Sequence, residues 1–89
     1  MIERELAISN RLGLHARATA RLVQLLSGYK VEATLAARGR QVNAKSIMGV
    51  MLLAAGRGST VVLRVEGEDE VEAADAVAAL FDRRFDEDA

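Results

Sequence analysis

The stretch Leu12-Gly13-Leu14-His15-Ala16-Arg17-Ala18-Thr19 holds the only histidine of the chain. Residues before it alternate like a strand and residues after it repeat like a helix, so His15 stands where a helix begins. Its ring then lies beside backbone N–H groups that have no helical acceptor, a setting suited to an anion. Imidazole is the one side chain whose ordinary pKa lies near neutrality, so its neutral, nucleophilic form exists without a separate base. His15 can therefore attack phosphorus. The oxygens of the resulting phosphohistidine would sit over the backbone of Ala16, Arg17 and Ala18, within reach of the Arg17 guanidinium. A helix end contributes about 0.3–1 kcal/mol to such an anion, and a charge-assisted hydrogen bond about 1.5–3 kcal/mol. These magnitudes hold a group and still let it go. On position alone, His15 is equally a polar residue that starts a helix, and Arg17 without the histidine beside it reads as a solvated helix charge.

The whole chain has 89 residues, which is the size of one domain built on one shared core. Twelve basic and 13 acidic residues give a formal charge of −1, and a dedicated nucleic-acid binder would be basic. Two phenylalanines and one tyrosine are too few for a base-stacking platform. The absence of cysteine excludes disulfides, thiolate nucleophiles and zinc–thiolate sites, and a single histidine argues against a histidine-based metal site. No metal or cofactor is expected. The start Met1-Ile2-Glu3-Arg4-Glu5 lacks the basic and apolar regions of a signal peptide. No apolar run approaches the roughly 18 residues of a membrane span. A cytoplasmic, monomeric protein without membrane insertion is expected.

The elements that must position His15 follow from periodicity. Ile2, Leu6 and Ile8 alternate with Glu3, Glu5 and Ala7, a strand whose edge Arg4 leaves marginal. Ser9 to Gly13 is a loop that delivers the histidine. Ala16 to Ser27 takes a helical period, with a stripe of Ala18, Leu22, Leu25 and Leu26 widened by Thr19 and Val23. Arg17, Arg21 and Gln24 fall on the opposite face, where Arg21 is a surface charge suited to an acidic partner. Val31 to Ala37 is a second strand, and Arg38-Gly39 joins it by a tight hairpin to a third, Arg40 to Asn43.

Ser46 stands at the N-cap of a short helix running to Leu53, its hydroxyl able to accept from a backbone N–H. That helix is apolar nearly all round and cannot bury every side chain, so Ile47, Met48 and Met51 are candidates for an adaptable apolar docking patch. Thr60 to Val65 is the fourth strand. Gly67-Glu68-Asp69 turns into a last helix, opened by a capping box of Asp69 with Glu72 and closed by Arg83 and Arg84. Its buried stripe is Val71, Ala74, Ala78, Phe81 and Phe85, with Val77 and Leu80. The ending Phe85-Asp86-Glu87-Asp88-Ala89 is an acidic, frayed tail. The order βαββαβα describes an α+β open-faced sandwich, with helices on one face of an antiparallel sheet.

Two segments carry a family resemblance. Asn10-Arg11-Leu12-Gly13-Leu14-His15-Ala16-Arg17 resembles the active-site segment of the HPr family, the histidine-containing phosphocarriers of the bacterial phosphoenolpyruvate-dependent phosphotransferase system. Val42-Asn43-Ala44-Lys45-Ser46-Ile47-Met48-Gly49-Val50-Met51 resembles the second signature of that family, at the expected separation. The acidic ending is similar to that of the family's nitrogen-branch members. Ala18 stands where the family usually has proline, which keeps a backbone donor, forgoes some rigidity and leaves His15 and Arg17 in place.

The resemblance implies a sheet order of 1-4-2-3 and a single HPr-like domain over residues 1–89. It implies that phosphorylated enzyme I passes a phosphoryl group to Nδ1 of His15, that Arg17 and the amides of Ala16, Arg17 and Ala18 steady it, and that an EIIA-type protein receives it. The chain is then a carrier and covalent intermediate of the relay rather than an enzyme. The resemblance also implies regulatory phosphorylation of Ser46 by an HPr kinase/phosphorylase, and docking through Ile47, Met48 and Met51, beside which Arg21 is a further docking candidate by its place on the helix. Two other readings stay open. One is a purely regulatory binding module acting through Ser46 and the apolar patch. The other is a small domain binding a metabolite or RNA on its open sheet face, for which the strands offer neither aromatics nor a basic cluster.

Overall fold

The computed structural model describes residues 1–87. In chain order the elements are β1 (Ile2–Ala7), α1 (Ala16–Ser27), β2 (Val31–Ala37), β3 (Arg40–Asn43), α2 (Ile47–Leu52), β4 (Thr60–Gly67) and α3 (Glu70–Asp82), followed by a short turn over Arg84–Asp86. The strands form one antiparallel sheet in the order β1-β4-β2-β3.

Alternation along each strand and the register between strands work together. Leu6 faces Val61, Leu63 faces Leu35, and Leu35 faces Val42, so the apolar sides of all four strands fall on one surface. On that surface they meet Leu22 and Leu26 of α1, Val50 of α2, and Ala74, Val77 and Phe81 of α3 in one core. The other surface carries Glu3, Arg64 and Gln41, and Arg64 donates to Glu3 at 2.6 Å. This is the α+β open-faced sandwich that the pattern implies, with three helices against one face of a four-stranded sheet. Arg38 and Gly39 both have positive φ, +53° and +76°, as a two-residue hairpin requires.

Several details depart from the sequence reading. β1 is paired with β4 from Ile2 onward, so Arg4 does not leave the strand marginal. Arg4 points toward α3 and donates to Asp75 at 2.7 Å. β4 continues two residues further, Glu66 and Gly67 pairing with Glu32 and Val31. Asp69 is the N-cap of α3 but forms no capping box. Its carboxylate instead accepts from the Lys30 N–H at 2.8 Å. Arg83 and Arg84 lie beyond the last turn of α3, and Val71 is 53% exposed rather than part of the buried stripe.

The largest departure is at the end of the chain. α3 stops at Asp82, and Arg84, Phe85 and Asp86 follow with φ of +56°, +56° and +60°. That left-handed turn folds the chain back, so Phe85 is fully buried against Phe81, with ring centroids 4.8 Å apart. The segment through Glu87 is thus packed rather than frayed. Asp88 and Ala89, the rest of the expected tail, lie outside the described residues.

Candidate functional site

His15 reaches its position because the chain before it is tied down. The Ile8 N–H donates to the Ser59 carbonyl at 2.9 Å, and the Gly58 N–H to the Ile8 carbonyl at 2.8 Å. A turn over residues 10–13 follows, closed by the Gly13 N–H on the Asn10 carbonyl at 3.2 Å. The Asn10 side-chain amide donates to the Gly13 carbonyl at 2.7 Å. Gly13 has φ of +66°, and a Cβ there would lie 2.6 Å from the Ala55 carbonyl oxygen, so no other residue fits without strain. The Leu14 N–H bonds to that same carbonyl at 3.0 Å and its side chain is buried, which pins the backbone one residue before the histidine.

His15 itself is the N-cap of α1, with extended backbone (φ −76°, ψ −178°). The Arg17 N–H donates to Nδ1 at 3.3 Å. A ring nitrogen that accepts carries no proton, so the hydrogen of the neutral imidazole lies on Nε2. That nitrogen donates to Oε2 of Glu87 at 2.7 Å. Nδ1 therefore faces the start of the helix as a lone pair, where the N–H groups of Ala16 and Ala18 have no intrahelical acceptor. Ala18 is fully buried at the base of the helix. Arg11, Leu12, His15, Ala16, Arg17 and Glu87 line an open depression of about 540 Å³. The Arg17 side chain is exposed there, and among the described residues it holds no carboxylate.

Glu87 is the residue that sequence reasoning missed. Its side chain is 14% exposed, and its second oxygen accepts from the Asn10 amide at 3.1 Å. Burial by itself raises the Glu87 carboxyl, but the hydrogen bonds from Asn10 and His15, with the charge of Arg21, outweigh burial and hold it below the usual carboxylate range. Asn10 belongs to the segment singled out in the sequence, yet nothing there marks it as buried. No local pattern ties residue 87 to residue 15.

The other expected residues fall as follows. Ser46 is the N-cap of α2 and accepts from the Gly49 N–H at 3.1 Å. Ile47, Met48, Met51 and Leu52 are exposed, Met48 to 78%, while Val50 and Leu53 are buried. α2 packs against α1. Arg21 does not stand free on the helix surface. It is half-buried and donates to the Phe85 carbonyl, so the returning tail covers it. Among the described residues no group of His, Cys, Asp and Glu is placed to hold a metal ion. Among the same residues no helix is long and apolar enough to cross a membrane.

An imidazole whose Nδ1 faces the start of a helix, with Arg17 exposed beside it, is placed to hold an anionic group such as a phosphoryl. The comparisons with known proteins make the class particular. The family model for the PTS HPr component phosphorylation site matches residues 2–83. The chain is 57% identical to the phosphocarrier protein HPr of Xylella fastidiosa over 88 residues, covering 99% of each chain. It is 41% identical to the phosphocarrier protein NPr of Shewanella violacea over 86 residues, covering 97% of this chain and 94% of that one. The crystal structure of HPr-C-His from Thermoanaerobacter tengcongensis superposes with a TM-score of 0.96 at 40% identity, covering 100% of both chains. This chain belongs to the HPr family of phosphocarrier proteins of the phosphotransferase system.

Proposed function

We propose that residues 1–89 act as one cytoplasmic carrier domain that accepts a phosphoryl group on Nδ1 of His15 from an enzyme I-type donor and yields it to an EIIA-type acceptor. The protein is then a covalent intermediate of the relay, modified and restored, and turns over no substrate of its own. The observation that supports this reading is the Arg17 N–H directed at Nδ1, from which the ring hydrogen is assigned to Nε2. With Nε2 donating to Glu87, the free electron pair is on Nδ1, beside unpaired helix N–H groups and Arg17. The incoming phosphoryl oxygens replace Nδ1 as the acceptor of the Arg17 N–H, and the guanidinium closes over them.

Ser46 is the regulatory position in this reading. A phosphate on its Oγ adds about −1.5 to −2 charge beside the exposed Ile47, Met48 and Met51. These residues form the docking patch, and Arg21, covered by the tail, contributes less directly. A serine kinase/phosphorylase acting there would change partner binding more than the fold.

The test is phosphorylation of the purified protein by phosphoenolpyruvate and enzyme I, read by intact mass and acid lability. An acid-labile adduct of ~80 Da, absent in His15→Ala, is the expected result. An unmodified protein sinks the carrier reading and leaves the Ser46 surface as the place to look for a regulatory role.

A further inference from the structure

The contact between His15 and Glu87 joins residues 72 positions apart, and the chain adopts an unusual backbone to make it. Three consecutive residues other than glycine, Arg84, Phe85 and Asp86, lie in the left-handed region. Such geometry persists only where the surroundings impose it. Here Phe85 is buried against Phe81 and its carbonyl accepts from Arg21. The next residue out is Glu87. Its Oε1 accepts from Asn10 and its Oε2 from His15. Asn10 is fully buried, and its amide nitrogen serves two acceptors, the Gly13 carbonyl and Glu87. The reverse orientation would set its oxygen against both, so the amide is locked in this sense. Its own Oδ1 has no partner among the described residues, a polar group spent on holding Glu87.

We propose that Glu87, held by Asn10, is a positioning residue for phosphoryl transfer: it fixes His15 with its hydrogen on Nε2 and balances the positive ring that transfer creates. This rests on the reading of His15 as the acceptor. In the step, the Nδ1 lone pair forms the bond to phosphorus while the bond from phosphorus to the donor atom breaks. The donor keeps that electron pair. Nε2 keeps its hydrogen, no proton changes hands, and the ring becomes a phosphorylated cation. Glu87 faces that cation from the Nε2 edge, on the side of the ring away from the phosphoryl oxygens. A carboxylate there favours both the correct tautomer before transfer and the charge after it. An acidic tail that shielded the histidine would instead repel an incoming phosphoryl group. The two roles differ in sign.

The experiment uses the full 15N-labelled chain, the Glu87→Gln and Glu87→Ala variants, and a chain ended at Asp86 that retains Phe85. Long-range 1H–15N spectra of the imidazole report which nitrogen carries the hydrogen. Enzyme I with phosphoenolpyruvate gives the second-order rate constant of phosphorylation, and the amide spectrum confirms the fold. In the unaltered protein the neutral ring is expected in the Nε2–H form. In Glu87→Ala and in the shortened chain the Nδ1–H form should rise severalfold and the rate constant should fall about tenfold, as expected for loss of a charge-assisted hydrogen bond. Glu87→Gln should fall between. Unchanged tautomers with an unchanged rate overturn the proposal, and a faster rate overturns it in favour of a shielding tail. If the unaltered protein takes up no phosphoryl group, the acceptor reading has failed. The tautomer spectra then still decide whether Glu87 sets the ring.

Discussion

The imidazole of His15 has two nitrogens in different surroundings, and the difference between them is the chemistry of the site. Nδ1 meets only a backbone N–H, at 3.3 Å, whereas Nε2 meets a carboxylate at 2.7 Å. In the proposed transfer the first contact gives way to a phosphoryl oxygen and the second remains. Because the folded protein holds the Glu87 carboxyl below its ordinary value of 4.5, the contact is linked to pH in a definite sense. A carboxyl with a lowered folded value stabilises the fold only while ionised. Its contribution is complete above the ordinary value and is lost as the pH falls through the lowered one. The difference in melting temperature between the unaltered protein and Glu87→Gln should therefore be full at neutral pH and shrink away as the pH falls below the usual carboxylate range. A difference that persists at the acid end would mean that Glu87 acts by packing rather than by charge. The places of His15 and Ser46 as N-caps, and of Arg17 on the first turn of α1, were legible from the sequence because each sits inside a contiguous segment with its own local geometry. Glu87 was not, since its role depends on a contact that no spacing encodes.

Among the elements, α1 was legible to the residue, Ala16 to Ser27, because its apolar stripe and its flanking loop both mark the ends. α2 was legible too, with Ser46 at its N-cap and its surplus of apolar residues exposed. α3 was not legible at its ends. Asp69 and Glu72 have capping-box spacing, yet the Asp69 carboxylate is taken by the Lys30 N–H from a loop 39 residues away. At the other end, Arg-Phe-Asp carries no local sign of a left-handed turn, and only the burial of Phe85 against the finished core selects it. Ser46 permits a test of capping against regulation. Ser46→Ala removes the acceptor for the Gly49 N–H and should cost about 1 kcal/mol, read by denaturant unfolding. Transfer from enzyme I should remain intact, because α2 is still held by buried Val50 and Leu53. A loss of transfer comparable to that of His15→Ala would place Ser46 in the transfer site itself.

At the scale of the whole molecule, the segment through Glu87 returns to His15, and Phe85 is the joint. Its burial favours the returning turn, while three left-handed residues oppose it at about 1–2 kcal/mol each. Truncating a buried phenylalanine to alanine ordinarily costs about 3–5 kcal/mol when the surroundings stay in place. Here they need not stay: without the ring the segment can unwind and release its strain. Phe85→Ala should therefore cost less than the usual range, below about 3 kcal/mol, by denaturant unfolding. The same substitution should free Glu87 and reproduce at His15 the tautomer shift of Glu87→Ala, although residue 85 touches neither ring nitrogen. A chain ended at Asp86 should show that shift with little loss of stability, because it keeps Phe85. Stability and site order would then separate between the two variants. If Phe85→Ala instead costs the full 5 kcal/mol and leaves the His15 ring unchanged, the turn is held by something other than Phe85. The tail would then be a rigid part of the core rather than a strap closed by one aromatic ring.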